Sequence, residues 1–75
     1  IEMNTYQKRY PALRKQLKAI GMTYAELAYR IGRSEPHVKR IMIGQSEPRI
    51  SEARQMLTVA GLPVSRFTEV FIDED

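Results

Sequence analysis

Apolar residues recur along this 75-residue chain at helical spacing and almost nowhere in alternation. Leu13, Leu17 and Ile20 share one face of a first helix, from about Pro11 to Ile20. Leu27, Ala28 and Ile31 form the inner face of a second. In a third, from Glu35 to about Ile43, a turn of about 100° per residue puts Val38, Ile41 and Met42 together, pointing inward. The same rotation puts Pro36, Lys39, Arg40 and Ile43 on the opposite, outward side, with Glu35 and His37 flanking the two faces. Ile50, Ala53, Met56, Leu57 and Ala60 mark the buried stripe of a fourth helix, over roughly 50–60. Leu62, Val64 and Phe67 then lead into a fifth short helix or into a strand ending at Ile72, where a weak alternation occurs. The pattern predicts a domain of four helices, with a fifth helix or a strand left open at the C-terminus.

Punctuation supports these boundaries. Gly21, Gly32, Gly44 and Gly61 fall where the helices should stop, and Pro11, Pro36, Pro48 and Pro63 lie at or near helix starts. Thr23 and Glu26 have the spacing of a capping box opening the second helix, with Met22 and Leu27 placed as its hydrophobic staple. Ser34 suits the N-cap of the third helix. Either Arg49 or Ser51 can cap the fourth. The chain divides into an arm or helix extension over 1–10, a folded domain over 11–68 and an acidic tail over 69–75. Ile1 and Glu2, ahead of Met3, are read as an appended remnant, and the natural chain is expected to begin at Met3.

Charge sharpens the picture. The net charge of +3 conceals an asymmetry: residues 3–66 hold all twelve Lys/Arg and only four glutamates, a net of +8. So basic a small body favours a polyanionic partner, most often nucleic acid. The composition, 43% hydrophobic and 28% charged, is that of a folded globular chain. With no cysteine and a single histidine, His37, neither a disulfide framework nor a Cys- or His-rich metal site is expected. No apolar run approaches a membrane span and no secretory signal is read at the start, so the expected address is the cytoplasm. No Ser/His/Asp or Cys/His set and no Gly-rich phosphate loop is visible. The expectation is a protein that is not an enzyme and takes no cofactor, metal or small-molecule ligand.

Two short helices joined by a Gly-containing turn, the second opening at a Ser cap, fit a helix-turn-helix. Ala28 is small enough for the two helices to cross closely, and Gly32 allows the sharp turn. Val38 and Ile41 would anchor the second helix from below, leaving its outer face free to enter a DNA major groove.

The run Thr23-Tyr24-Ala25-Glu26-Leu27-Ala28-Tyr29-Arg30-Ile31-Gly32-Arg33-Ser34, followed by Val38, Arg40, Ile41, Gly44 and Pro48, resembles the Cro/cI-type helix-turn-helix of phage and bacterial repressors. The likeness continues through Ile50, Met56, Gly61-Leu62 and Phe67, covering about residues 11–68. It implies an all-α domain, a compact bundle of five helices, binding to double-stranded operator DNA, and a homodimer reading a near-palindromic site. That family usually has Gln at Tyr24 and an apolar residue at Arg33. A buried Arg–Glu pair of the family is here Leu17 and Met42. Replacing a whole buried pair by packed hydrophobes is often neutral or stabilising.

With the third helix in the major groove, Arg40 is the first choice for a base contact, because Arg grips guanine through O6 and N7. Lys39 can reach a base or a phosphate. Pro36 can press on a thymine methyl or serve only as a first-turn residue, and Glu35 can accept from a cytosine amino group or merely complement the helix dipole. Phosphate contacts are expected from Thr23 and Tyr24 at the start of the second helix and from the loop Gly44-Gln45-Ser46. Arg33 and Arg49 can add charge at the two ends of the reading helix, and His37 either contacts the backbone or is an idle surface side chain. Phe67, Val70, Phe71 and Ile72 are the expected dimer interface, an apolar segment that a lone small domain has little core left to cover. The competing reading is a protein-interaction module, such as an antitoxin-like or adaptor domain, docking through that same acidic, aromatic C-terminus.

Overall fold

A computed structural model describes residues 8–72. The start at Met3, the arm before residue 8 and the acidic Asp73-Glu74-Asp75 lie outside the described residues. Helix α1 spans Pro11–Ile20, α2 Tyr24–Ile31, α3 Glu35–Met42 and α4 Ile50–Ala60. A 3-10 turn, Val64–Arg66, and a π-helical turn, Thr68–Ile72, make the fifth helical segment. The fold is all-helical as expected. The strand alternative for the C-terminus is set aside, with no strand among the described residues.

Local chemistry accounts for the boundaries. Thr23 Oγ1 accepts from the Glu26 amide at 3.1 Å, and Ser34 Oγ from the His37 amide at 3.2 Å. Only half of the expected capping box forms at α2, because the Glu26 carboxylate pairs with Arg30 at 3.4 Å. Gly32 closes α2 at φ +74°, a left-handed conformation that an L side chain adopts at a cost, and turns the chain into α3. Arg49 takes the cap position of α4, its amide donating to Glu52 Oε1 at 3.4 Å.

The core gathers Leu13 and Leu17 from α1, Leu27, Ala28 and Ile31 from α2, Val38, Ile41 and Met42 from α3, and Ala53, Met56, Leu57 and Ala60 from α4. Leu17 and Met42 are both buried in this cluster. Gln16 of α1 donates its side-chain amide to the Ala60 carbonyl at 2.9 Å, joining α1 to the end of α4.

Four expectations are corrected. Ile20 is exposed: it lies on the inner face of α1 but in the last residue of the helix, beyond the edge of the core. Ile50 is 65% exposed, while Glu52, on the other margin of the same stripe, is 4% exposed. Tyr10, grouped with the arm, belongs to the core. It sits at φ 55° at the head of α1, and its ring is fully buried, 4.8 Å from Phe71. A non-glycine residue in that region costs about 1–2 kcal/mol, which burial of the aromatic ring offsets. The amide of its neighbour Arg9 donates to the Met42 carbonyl at 2.8 Å, so this segment also ties down the end of α3.

The fourth correction concerns the expected dimer interface. Val70 and Phe71 are buried within the domain, Phe71 packing against Tyr10 and, at 5.5 Å, against Phe67. Phe67 is half-buried, and only Ile72 of the four is exposed. The small core does have room for this segment, because Tyr10 supplies the surface it covers.

Candidate nucleic-acid interface

Helix α3 is two turns long and is held from one side only. Val38, Ile41 and Met42 are fully buried, each contributing about 1.5–3 kcal/mol of apolar burial. Pro36, Lys39 and Arg40 are exposed on the opposite side, as the helical rotation requires. Lys39 Nζ lies 3.6 Å from Glu35 on the same surface, an i,i+4 pair in open water that is weak and readily exchanged. Glu35 therefore has a partner already, one turn further along the helix. Arg40 has no carboxylate partner among the described residues, and its guanidinium is available. Ile43, just past the helix end, is half-buried.

The loop after α3 is used differently from the expectation. The amides of Gln45 and Ser46 both donate to the Arg40 carbonyl, at 2.8 and 3.2 Å, and the Gly44 amide donates to Ile41 at 3.1 Å. These backbone donors close the helix end and are not free for a phosphate. The side chains of Gln45 and Ser46, and the exposed Arg49, remain as the contribution of this loop.

Arg33 and His37 are also redirected. Arg33 Nε is 2.9 Å and His37 Nε2 is 2.7 Å from the same oxygen of Glu52. A carboxylate can only accept, so Nε2 carries the proton in that bond. Burial alone would push the Glu52 carboxyl up. The hydrogen bonds from His37 and the Arg49 amide, with the charge of Arg33, outweigh it and hold the group below its ordinary value. His37 is thus neither a free phosphate ligand nor an idle surface side chain. Glu52 itself escaped the sequence reading, although a charged residue at the margin of an apolar helical stripe was a visible signal.

A second charged region lies at the start of α2. Thr23 and Tyr24 border a groove of about 580 Å3 whose wall includes Lys8, Arg14, Lys15 and Lys18. None of these four cations has a carboxylate partner among the described residues: the body's four glutamates are engaged with Arg9, Arg30, Arg33, His37 and Lys39, and Glu69 with Arg66. Tyr24 is half-buried; burial raises its phenol above the ordinary value against the opposing charge of Arg14, so the hydroxyl stays a donor at neutral pH. Sequence reading had named Thr23 and Tyr24 but not the cations. Arg14, Lys15 and Lys18 of α1 showed only as charge, and no local pattern tied them to the start of α2.

An apolar-anchored second helix with an exposed basic face, set across a tight glycine turn from a capped first helix, defines a helix-turn-helix of the DNA-binding class. The helix-turn-helix domain family matches residues 12–69, well over half of the chain, and the protein belongs to that family. Comparison with curated proteins finds no match. Among the described residues no helix is long and apolar enough to cross a membrane, and no group of acidic, His or Cys side chains is placed to hold a metal ion.

Proposed function

We propose that this protein is a sequence-specific transcriptional regulator of the Cro/cI type, a repressor that reads a near-palindromic operator through α3 as a homodimer on DNA. The observation that carries the reading is the exposed Pro36–Lys39–Arg40 face of α3, fixed from behind by Val38, Ile41 and Met42. Arg40 is the base reader, gripping guanine bidentately, and Pro36 borders a thymine methyl. Lys39, released from Glu35, binds backbone phosphate, and Glu35 is left to complement the helix dipole. Thr23, Tyr24 and the four groove cations follow the backbone at the start of α2. The role is non-catalytic and belongs where the genome is, in the cytoplasm of a bacterium.

Burial of Val70 and Phe71 leaves the exposed Ile72 and Val64 as the apolar residues of the C-terminal segment for a partner copy. The same burial withdraws most of the surface on which a protein-interaction module would have relied. Selection of preferred sites from random duplex DNA, followed by titration of the winner and a scrambled duplex at several salt concentrations, tests the reading. A preferred site bound with steep salt dependence is expected, because neutralised phosphates release counterions. Weak binding that is indifferent to both sequence and salt would overturn it.

A further inference from the structure

Glu52 is the only buried acidic residue among those described, and the DNA-reading surface described above makes no direct use of it. It belongs to the first turn of α4, yet all its partners lie elsewhere or at the cap. Arg33 comes from the turn between α2 and α3, His37 from the first turn of α3, and the Arg49 amide from the loop that enters α4. We propose that Glu52 is a positioning residue for sequence reading, a buried carboxylate that sets how α3 is rotated and tilted above the domain. The inference rests on the DNA-reading role of α3 and names what determines its specificity.

The physical argument is directional. Val38, Ile41 and Met42 hold α3 down by apolar contact, which has no preferred direction and tolerates small rotations of a helix only two turns long. The charge-assisted hydrogen bond from His37 at 2.7 Å, with the Arg33 ion pair at 2.9 Å beside it on the same oxygen, tolerates far less. They act on the turn before α3 and on its first turn, the end whose residues approach base edges in a helix-turn-helix. Bidentate contacts to bases need a supporting shell that holds the side chain's geometry, whereas phosphate contacts demand little more than charge. Glu52 also keeps the Arg33 guanidinium paired, so that this cation does not add indiscriminate backbone affinity.

The test uses the full chain, its selected duplex and a scrambled duplex of equal length. Glu52→Gln keeps the size and one acceptor but removes the charge. The ratio of selected to scrambled affinity is expected to fall about tenfold, the equivalent of one weakened base contact. Affinity for the scrambled duplex should hold or rise, with a steeper salt slope from the freed Arg33. A purely structural role would lower both affinities together, and that parallel loss, or an unchanged ratio in the folded variant, overturns the proposal. If Glu52→Gln does not fold, Arg33→Gln decides, since it removes one exposed partner; a smaller fall in the ratio is expected, and no fall overturns the proposal. Amide exchange gives a readout free of DNA. The Val38 amide, bonded to the Ser34 carbonyl at 3.2 Å, should exchange faster in Glu52→Gln while the amides of α1 do not change. Should the wild type show no sequence preference, the DNA reading fails by itself, and unchanged Val38 exchange would remove the positioning role as well.

Discussion

The two faces of α3 carry the same kinds of side chain in opposite circumstances. On the outer face, Lys39 and Glu35 meet at 3.6 Å in water, and Arg40 stands without a carboxylate among the described residues. At the inner flank, Arg33 and His37 converge on a carboxylate that is almost wholly buried. An exposed pair is solvated in both its made and broken states, so breaking it costs little and a phosphate can replace the glutamate. A buried carboxylate has no water to return to, so its bonds persist. Burial of the partner carboxylate, more than the type of cation, separates the cations offered to a polyanion from those held at the frame.

The largest effect should come from placing a charge where no partner is buried. Leu17→Arg should lose about 3–5 kcal/mol, and adding Met42→Glu should restore part of the loss, because both positions lie in one interior cluster. Urea unfolding of the two single variants and the double measures this; simple additivity would mean that the positions do not couple.

Removing the buried carboxylate should rank next. Glu52→Ala should cost about 2 kcal/mol, the scale of lost hydrogen bonds to charged groups. The same group makes stability pH-dependent with a definite sign. Its folded carboxyl titrates below the ordinary glutamate value of 4.5, so its contribution is complete above that value and is lost as pH falls through the lower, folded one. Melting curves over the acid range should show this loss in the wild type and a shallower one in Glu52→Gln.

On the outer face the effects should appear in binding. Arg40→Ala should weaken the preferred site by about 1–3 kcal/mol and relax the choice at one base pair, with much less effect on a scrambled duplex. Lys39→Ala should weaken all duplexes alike and reduce the salt slope by about one. Equal loss on both duplexes for Arg40→Ala would make it a phosphate clamp. Smallest of all, Glu35→Ala should change stability by no more than about 0.5 kcal/mol, since its pair with Lys39 is exposed. A larger loss in a thermal melt would erase the contrast between the two faces.

Much of this architecture was legible in the residues alone. The start of α3 at Ser34, the inward set Val38, Ile41 and Met42 and the outward set Pro36, Lys39 and Arg40 all follow from hydrogen bonds and spacing within one or two helical turns. Such interactions are local, so a sequence window contains both partners.

What the window omits is the neighbour across the core. Ile50 and Glu52 sit on opposite margins of one apolar stripe, and hydrophobicity alone chooses the wrong one to bury. Glu52 goes inside because Arg33 and His37, fifteen or more residues away, are there to receive it. Phe71 is turned into the domain because Tyr10, at the opposite end of the described chain, offers a ring at 4.8 Å. Arg33 and His37, each read as a phosphate contact or a plain surface side chain, meet Glu52 instead for the same reason. The chain by itself determined where α1, α2 and α3 begin and which face of α3 is free. Burial at the margins, and which cations are left unpaired, depended on partners distant in sequence, and only the packed structure brings those together.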